Sequence, residues 1–332
     1  RGESTESTSW PTAHDVFSSI SRQPVTMSPT PDPRSEATPR PSVVAEAMPW
    51  VERVGWIAVA VVGGSAVDAA VDGRSSAVAW TTAVGAWSIW AAVALALAIA
   101  SVRSLTVARL GVPLALLATA AAGLAGAPAV DLLLLGVPAL VSAAAVGSAE
   151  FGRRFVQASA YGDEERFPLR FPVAAGAAAM VSWLVWAPSS VAGPLLLAAE
   201  QWIVGGLLTV IAIAGVVFLL PRWHRLSRRW FVLVPAGIVL HDPVVLADTL
   251  PLRTAQIAQV GLAPADTEAA DLTGPASGYA VEVATTEPIT TVFAFTPAEP
   301  NGRAIHLTAF LTAPSRPGAV LRAARRRGLP VA

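Results

Sequence analysis

Between Trp50 and Leu220 the chain repeats one pattern, an apolar run of roughly 20 residues closed by a short polar break. At about 1.5 Å per residue, a helical run of that length crosses the ~30 Å of hydrocarbon in a bilayer. The runs lie at approximately Val51–Val71, Ala77–Ser101, Leu105–Ala125, Leu132–Gly147, Phe171–Trp186 and Leu195–Leu220. Lipid offers the backbone no hydrogen-bonding partners, so continuous apolar runs without period-two alternation predict about six transmembrane helices rather than barrel strands. The fifth run is short, and the stretch Ala187–Pro194 after it reads as a tight turn between spans or a kinked re-entrant segment.

The pattern differs on either side of this block. Residues 1–48 are rich in Ser, Thr and Pro and hold no apolar run able to nucleate a core, so they read as a disordered polar segment. They also lack the apolar stretch of a secretory signal, so the first span is expected to serve as an uncleaved anchor. The chain opens on Arg1, and Met27 offers a more usual start, which would make residues 1–26 an over-extended reading frame. Past Trp230 the period changes toward that of strands. Trp230–Val234 and Ile238–His241 flank Pro235-Ala236-Gly237 as a hairpin, and further strands are expected at Ala255–Val260, Tyr279–Thr285, Thr290–Phe295 and Ile305–Leu311. Pro264–Gly278 reads as a loop or short helix. The run after Pro314 predicts a helix capped by Ser315, with Pro317 in its first turn, arginines near its negative end and Gly328 as its stop. The expected organisation is a polar segment over 1–48, a six-helix membrane domain over 49–221, and a small α+β domain over 222–332.

Charge sets the orientation. One set of loops carries Arg40, Arg53, Arg103, Arg153, Arg154, Arg166, Arg170, Arg222, Arg225, Arg228 and Arg229, whereas the other set carries Arg74. Cytoplasmic loops retain positive charge, so both termini are expected in the cytoplasm, which requires an even number of spans. The cluster Arg222, Arg225, Arg228 and Arg229 is the expected contact with the inner leaflet, at about 1 kcal/mol per basic residue near an anionic surface. Trp50, Trp56, Trp186, Trp202 and Trp223 fall near span ends, as interfacial anchors do. The inner loop 150–170 reads as a helical extension of the fourth span, then a turn at Tyr161-Gly162, with its mixed charges on a solvated face.

Composition then removes whole classes of function. Hydrophobic residues make up 54% of the 332 and charged ones 14%, too apolar a balance for an ordinary soluble domain. The 23 basic residues are all arginine and are dispersed along the chain, which argues against a nucleic-acid partner. With no cysteine there is no disulfide, thiolate metal site or cysteine nucleophile. The absence of lysine and the wealth of alanine, valine and glycine point to a GC-rich bacterial genome, hence to a bacterial plasma membrane.

Candidate chemistry is sparse. Asp68, Asp72, Asp131 and Glu200 come near the bilayer, all at outer ends, and would form a cation or proton site if the outer ends of spans one, four and six meet; otherwise they are interfacial acids. Trp80, Trp87 and Trp90 share one broad face of the second span, read as packing or lipid-facing surface ahead of a ligand cage. Ser88, Ser142 and Ser182 have no base near in sequence and are expected to bond to their own helix or across a helix pair. Leu110-Gly111-Val112-Pro113 recurs as Leu135-Gly136-Val137-Pro138, which is either an inverted repeat or coincidence in a biased composition. None of the histidines, His14, His224, His241 and His306, lies inside a span, so no axial pair for a b-type haem exists. P-loop, zincin, dinucleotide and Gly-x-Ser-x-Gly patterns are absent, and no cofactor is expected.

The order of elements in the tail, several strands and then one helix, resembles the pleckstrin-homology-like domains of bacterial membrane proteins. The residues that carry the resemblance are Arg229–His241, Leu252–Val260 and Pro317–Gly328, and with the preceding spans the whole is similar to uncharacterised actinobacterial multi-pass proteins. The resemblance implies a non-enzymatic anchor or interaction protein with the lipid bilayer around its spans and a cytoplasmic protein partner for residues 227–332. Arg253 stands alone in its hairpin, which argues against a phosphoinositide-type pocket. The alternative is a small-solute or ion carrier using the outer acids, and the sequence leaves oligomeric state open.

Overall fold

A computed structural model describes residues 43–294 and 303–332. The first span combines α1 (Val43–Val62) and α2 (Gly64–Val71), the second is α3 (Ser76–Ala98), and the third combines α4 (Val102–Gly111) and α5 (Leu114–Leu124). The fourth is α6 (Ala129–Gly147), followed by a short helix α7 (Ala149–Gln157); α8 (Val173–Ala198) is the fifth, and α9 (Trp202–Phe218) runs on into α10 (Leu220–Ser227) as the sixth. Six helical stretches, Trp50–Val71, Ser76–Ala98, Val102–Leu124, Ala129–Gly147, Val173–Ala198 and Trp202–Ser227, are long and apolar enough to cross a membrane. Three of the starts are set by serine: Ser75, Ser101 and Ser148 each accept a hydrogen bond from the backbone N–H three residues on, satisfying a donor the helix leaves free.

The expected spans hold closely for the first four and shift for the last two. Ala187–Pro194 is neither a turn nor a re-entrant segment, because α8 continues through Pro188 and Pro194 to Ala198. Each proline withholds one helical donor, and the Ser189 and Ser190 hydroxyls supply donors beside Pro188, to the carbonyls of Val185 and Ala187 at 2.8 Å. The real turn is Ala199–Gln201, with Glu200 in the left-handed region at φ 60°. Close approach then locks α8 to α9: a Cβ on Gly193 would lie 2.8 Å from the Thr209 backbone nitrogen, and one on Gly205 2.7 Å from that of Leu197. At the other end of the chain, Val43–Met48 belong to α1 rather than to an unstructured segment. The rest of the polar segment, with the question of Met27, lies outside the described residues.

The two Leu-Gly-Val-Pro segments do not share a local structure. Pro113 sits in the break between α4 and α5, whereas Pro138 lies inside the continuous α6. No inverted repeat is visible in their helices.

The tail holds two four-stranded sheets around one core. In the first, β1 (Glu165–Pro168), β2 (Trp230–Val234), β3 (Gly237–His241) and β4 (Leu250–Arg253) pair antiparallel in that order. In the second, the order is β5 (Ile257–Leu262), β7 (Val281–Phe293), β8 (Arg303–Thr312) and β6 (Ala270–Asp271), the last parallel to β8. Phe167, Phe231, Leu240, Val283 and Phe310 meet in the core, closed by α11 (Pro317–Arg326) through Val320 and Ala324. The hairpin is placed as expected, and the strands expected at Tyr279–Thr285 and Thr290–Phe295 correspond to the single strand β7, which ends at Phe293 and whose pairing with β8 shifts between Ala284 and Ile289; Phe295 lies outside the described residues. Pro264–Gly278 contains β6 rather than a helix. The residue preceding α11 is Arg316, not Ser315, and makes no side-chain cap.

The first strand of this tail comes from between the fourth and fifth spans. Glu165↔Leu233 through Pro168↔Trp230 form its register. Loop 150–170 is therefore a helix, a turn and an edge strand, and its charges are not simply solvated: Arg326 and Arg327 on the far end of α11 reach Glu165 and Asp163 at 3.0 and 2.8 Å, and Arg316 reaches Glu150 at 2.5 Å.

Candidate functional site

The starts of the first and third spans and the ends of the fourth and sixth meet on the side of the bundle that bears the tail. Glu52 pairs with Arg154, and Thr106 Oγ1 lies 2.9 Å from His224 Nδ1. Trp223 Nε1 donates to Ser182 Oγ at 3.2 Å and its ring meets Trp186 edge-on at 5.3 Å. Trp223 is buried, as is Trp56, so these two tryptophans are bonds within the bundle rather than interfacial anchors. Trp186 likewise donates to the Ala212 carbonyl at 3.1 Å.

On the opposite side lies a cavity of about 460 Å³ between the first, second, third and fifth spans, with Leu135 of the fourth also in its wall. Its floor is a clasp of two indoles. Trp56 Nε1 donates to the Trp90 carbonyl, and Trp90 Nε1 donates to the Trp56 carbonyl, both at 3.0 Å. These bonds satisfy the indole N–H groups that lipid or an apolar core would leave bare. Trp87 stands edge-on to Trp90 at 5.6 Å and also borders the cavity, so two of the three tryptophans on that helical face line it; Trp80 and Trp87 are both exposed. Both interrupted spans border it, the first at Gly63 and Gly64 and the third at Leu114 and Ala115, just past Pro113. Discontinuous helices beside a midplane cavity are a recurrent way of building a binding site in a membrane, because the break leaves room that a regular helix would fill.

Of the four acids, Asp68 lines this cavity, and Asp72, Asp131 and Glu200 do not. Among the described residues no group of three or more His, Asp or Glu side chains is placed to hold a metal ion. Glu200 occupies the helix-ending turn, where Gln201 N–H reaches back to the Leu196 carbonyl at 2.8 Å. Its position is thus explained by turn geometry and not by a place within the sixth span.

The arginine cluster divides. Arg222, Arg225 and Arg228 are exposed, and two are engaged with backbone, Arg222 on the Phe218 carbonyl and Arg225 on that of Pro243. Arg229 is 1% exposed and forks onto Asp242, so it is withdrawn from any leaflet. Its remaining donors reach the carbonyls of Arg170 at 2.6 Å and Thr273 at 3.2 Å.

Two ionisable residues inside the spans, Glu52 and Arg109, are not among those the sequence singles out. Glu52 is fully buried against Arg154, whose guanidinium covers the stacked rings of Phe151 and Phe155. Arg109 lies over the Phe171 ring, 5.5 Å from its centroid, against Gly152, where a Cβ would stand 2.9 Å from the guanidinium. Both interrupt apolar runs, which was the available signal. Ser142 also departs from expectation: its hydroxyl is buried without a partner, beside Gly55.

The tail offers a second concavity. β4 is an edge strand, and β7 beyond Thr285 is paired with β8 but not with β5. Between them lies an open groove of about 410 Å³ lined by Asp248, Thr249, Pro251, Gln256, Thr290 and Thr291 among others. Compared with family models, curated proteins and solved structures, the chain finds no match.

Proposed function

We propose that this is a non-enzymatic membrane anchor and interaction protein, whose strand-rich tail receives an extended segment of another protein. The observation that carries the reading is the groove between edge strand β4 and the short stretch of β7, residues 288–291, that lies between its pairing with β5 and its bridge to residues 245–247. Exposed strand edges recognise peptides through main-chain hydrogen bonds, while alternating side chains fill adjoining pockets. Two four-stranded sheets around one core, closed by a single C-terminal helix, support the pleckstrin-homology-like resemblance. The loops of the tail-bearing side hold nearly all the loop arginines, which supports a cytoplasmic tail beneath a bacterial plasma membrane.

The test uses the full chain, because the tail contains a strand from between spans. A photo-crosslinking residue replaces Asp248 at the groove, or Arg322 on the exposed face of α11, in native membranes. A discrete adduct from position 248 and none from position 322 supports the reading. Equal labelling from both, or none from either, removes it.

A further inference from the structure

The intramembrane cavity has a chemistry of its own. It is walled mostly by indole, Leu, Val and Ala surface; of its hydroxyls, Thr82 Oγ1 donates to the Val78 carbonyl at 2.9 Å and Ser190 Oγ to the Ala187 carbonyl at 2.8 Å, and that of Thr81 makes no hydrogen bond among the described residues. Asp68 is the one ionisable residue lining it, with no basic residue beside it in the wall. Among the described residues its carboxylate makes no ion pair or hydrogen bond. A Cβ built on Gly64 or Gly85, both in the wall, would meet no atom within 4 Å, so neither glycine is required by close packing.

We propose that this cavity binds a small amphipathic cation, an amine or quaternary ammonium at Asp68 with an apolar body among Trp56, Trp87 and Trp90. The volume falls in the ordinary range for small-molecule sites, about 300–1,000 Å³. Asp68 is exposed at the edge of the cavity, where its carboxylate attracts a cation and repels an anion. The exposed indole of Trp87 and the half-buried one of Trp90 add cation–π attraction. Neutral apolar molecules would gain the walls without the carboxylate. The cation could be a free solute or the ammonium headgroup of a neighbouring lipid, since the recognised chemistry is the same.

The experiment measures binding of radiolabelled benzyltrimethylammonium to the full chain in nanodiscs of phosphatidylglycerol, with empty nanodiscs as background. Saturable one-site binding is expected. Neopentylbenzene, the neutral isostere, should compete at least tenfold more weakly than the unlabelled cation. Asp68→Asn should weaken binding at least tenfold, while Asp72→Asn, one turn on and outside the wall, should leave it unchanged. Gly64→Leu and Gly85→Leu, which add bulk to the wall at positions where a Cβ meets no atom within 4 Å, should weaken it. If both leucine variants misfold, Asp68→Asn still decides, because that side chain has no partner to lose. Adding phosphatidylcholine to the nanodiscs separates the sources: competition assigns the site to a lipid headgroup, and its absence to a free solute. Binding no greater than to empty nanodiscs, equal binding by Asp68→Asn, or equal competition by the neutral isostere overturns the proposal.

Discussion

Arg229 holds Asp242 in a two-pronged ion pair, Nε to Oδ1 at 2.7 Å and Nη2 to Oδ2 at 2.6 Å, with neither side chain exposed. Asp242 also accepts from the backbone N–H groups of Val244 and Val245, so neither charge is left unsatisfied. Removing one partner strands the other in a dry interior. Arg229→Leu is expected to destabilise the tail by about 3–5 kcal/mol, read as a lowered midpoint in denaturant with tryptophan emission. Arg229→Lys should recover only part, since an ammonium lacks the planar fork. The double change Arg229→Leu with Asp242→Leu should cost less than the two single changes summed. Additive losses would show that the pair is not coupled.

Phe167 is the buried residue of β1, with the Arg153 guanidinium over its ring at 4.8 Å. Phe167→Ala is expected to cost about 3–5 kcal/mol, although the substitution lies in a loop between spans. Limited proteolysis of the full chain should then cut the tail at sites protected in the unaltered protein. Protection equal to that of the unaltered chain would mean the strand contributes little.

His241 stacks on Trp230 at 4.8 Å, its Nδ1 2.9 Å from Thr249 Oγ1 and its Nε2 buried without a partner. Burial, then the positive charge of Arg228, with Asp242 opposing and Arg166 adding, lowers its pKa from the ordinary value. The unfolded chain therefore takes up this proton first as pH falls. Stability that is complete above about pH 6.5 is lost as pH drops through that value toward the folded pKa. The drop in thermal midpoint between pH 7.5 and pH 5.5 should be smaller for His241→Gln than for the unaltered chain. An equal drop in both would assign the dependence to other groups.

Glu200 holds a left-handed turn position, for which a side chain costs roughly 1 kcal/mol relative to glycine. Glu200→Gly is expected to keep or raise the thermal midpoint, and to leave benzyltrimethylammonium binding unchanged. A loss of binding would place this carboxylate in the site after all.

The membrane spans were legible because a run of about 20 apolar residues has few alternative fates. The turn after the fifth was not, since Pro188 and Pro194 read as breakers, while a helix in lipid has little else to become. The hairpin about Pro235–Gly237 was visible from its turn chemistry. β1 was not: a four-residue strand with one buried side chain has almost no periodicity, and its partner β2 begins more than sixty residues later in the sequence. Asp68 was singled out, but the cavity beside it was not, because it depends on where Gly64 and Gly85 face, and spacing alone does not reveal an empty volume. Glu52 was not legible, because its partner Arg154 lies 102 residues away and no local spacing joins them.

The place of β1 in the first sheet also imposes an order in time. When Glu165–Pro168 leave the ribosome, their partner strand is still some sixty residues from synthesis, and two further spans must be threaded before it arrives. At ordinary rates of about 5–20 residues per second, an edge strand waits for seconds with its hydrogen-bonding groups unclaimed. The first sheet of the tail therefore cannot close until the chain has been made through both remaining spans.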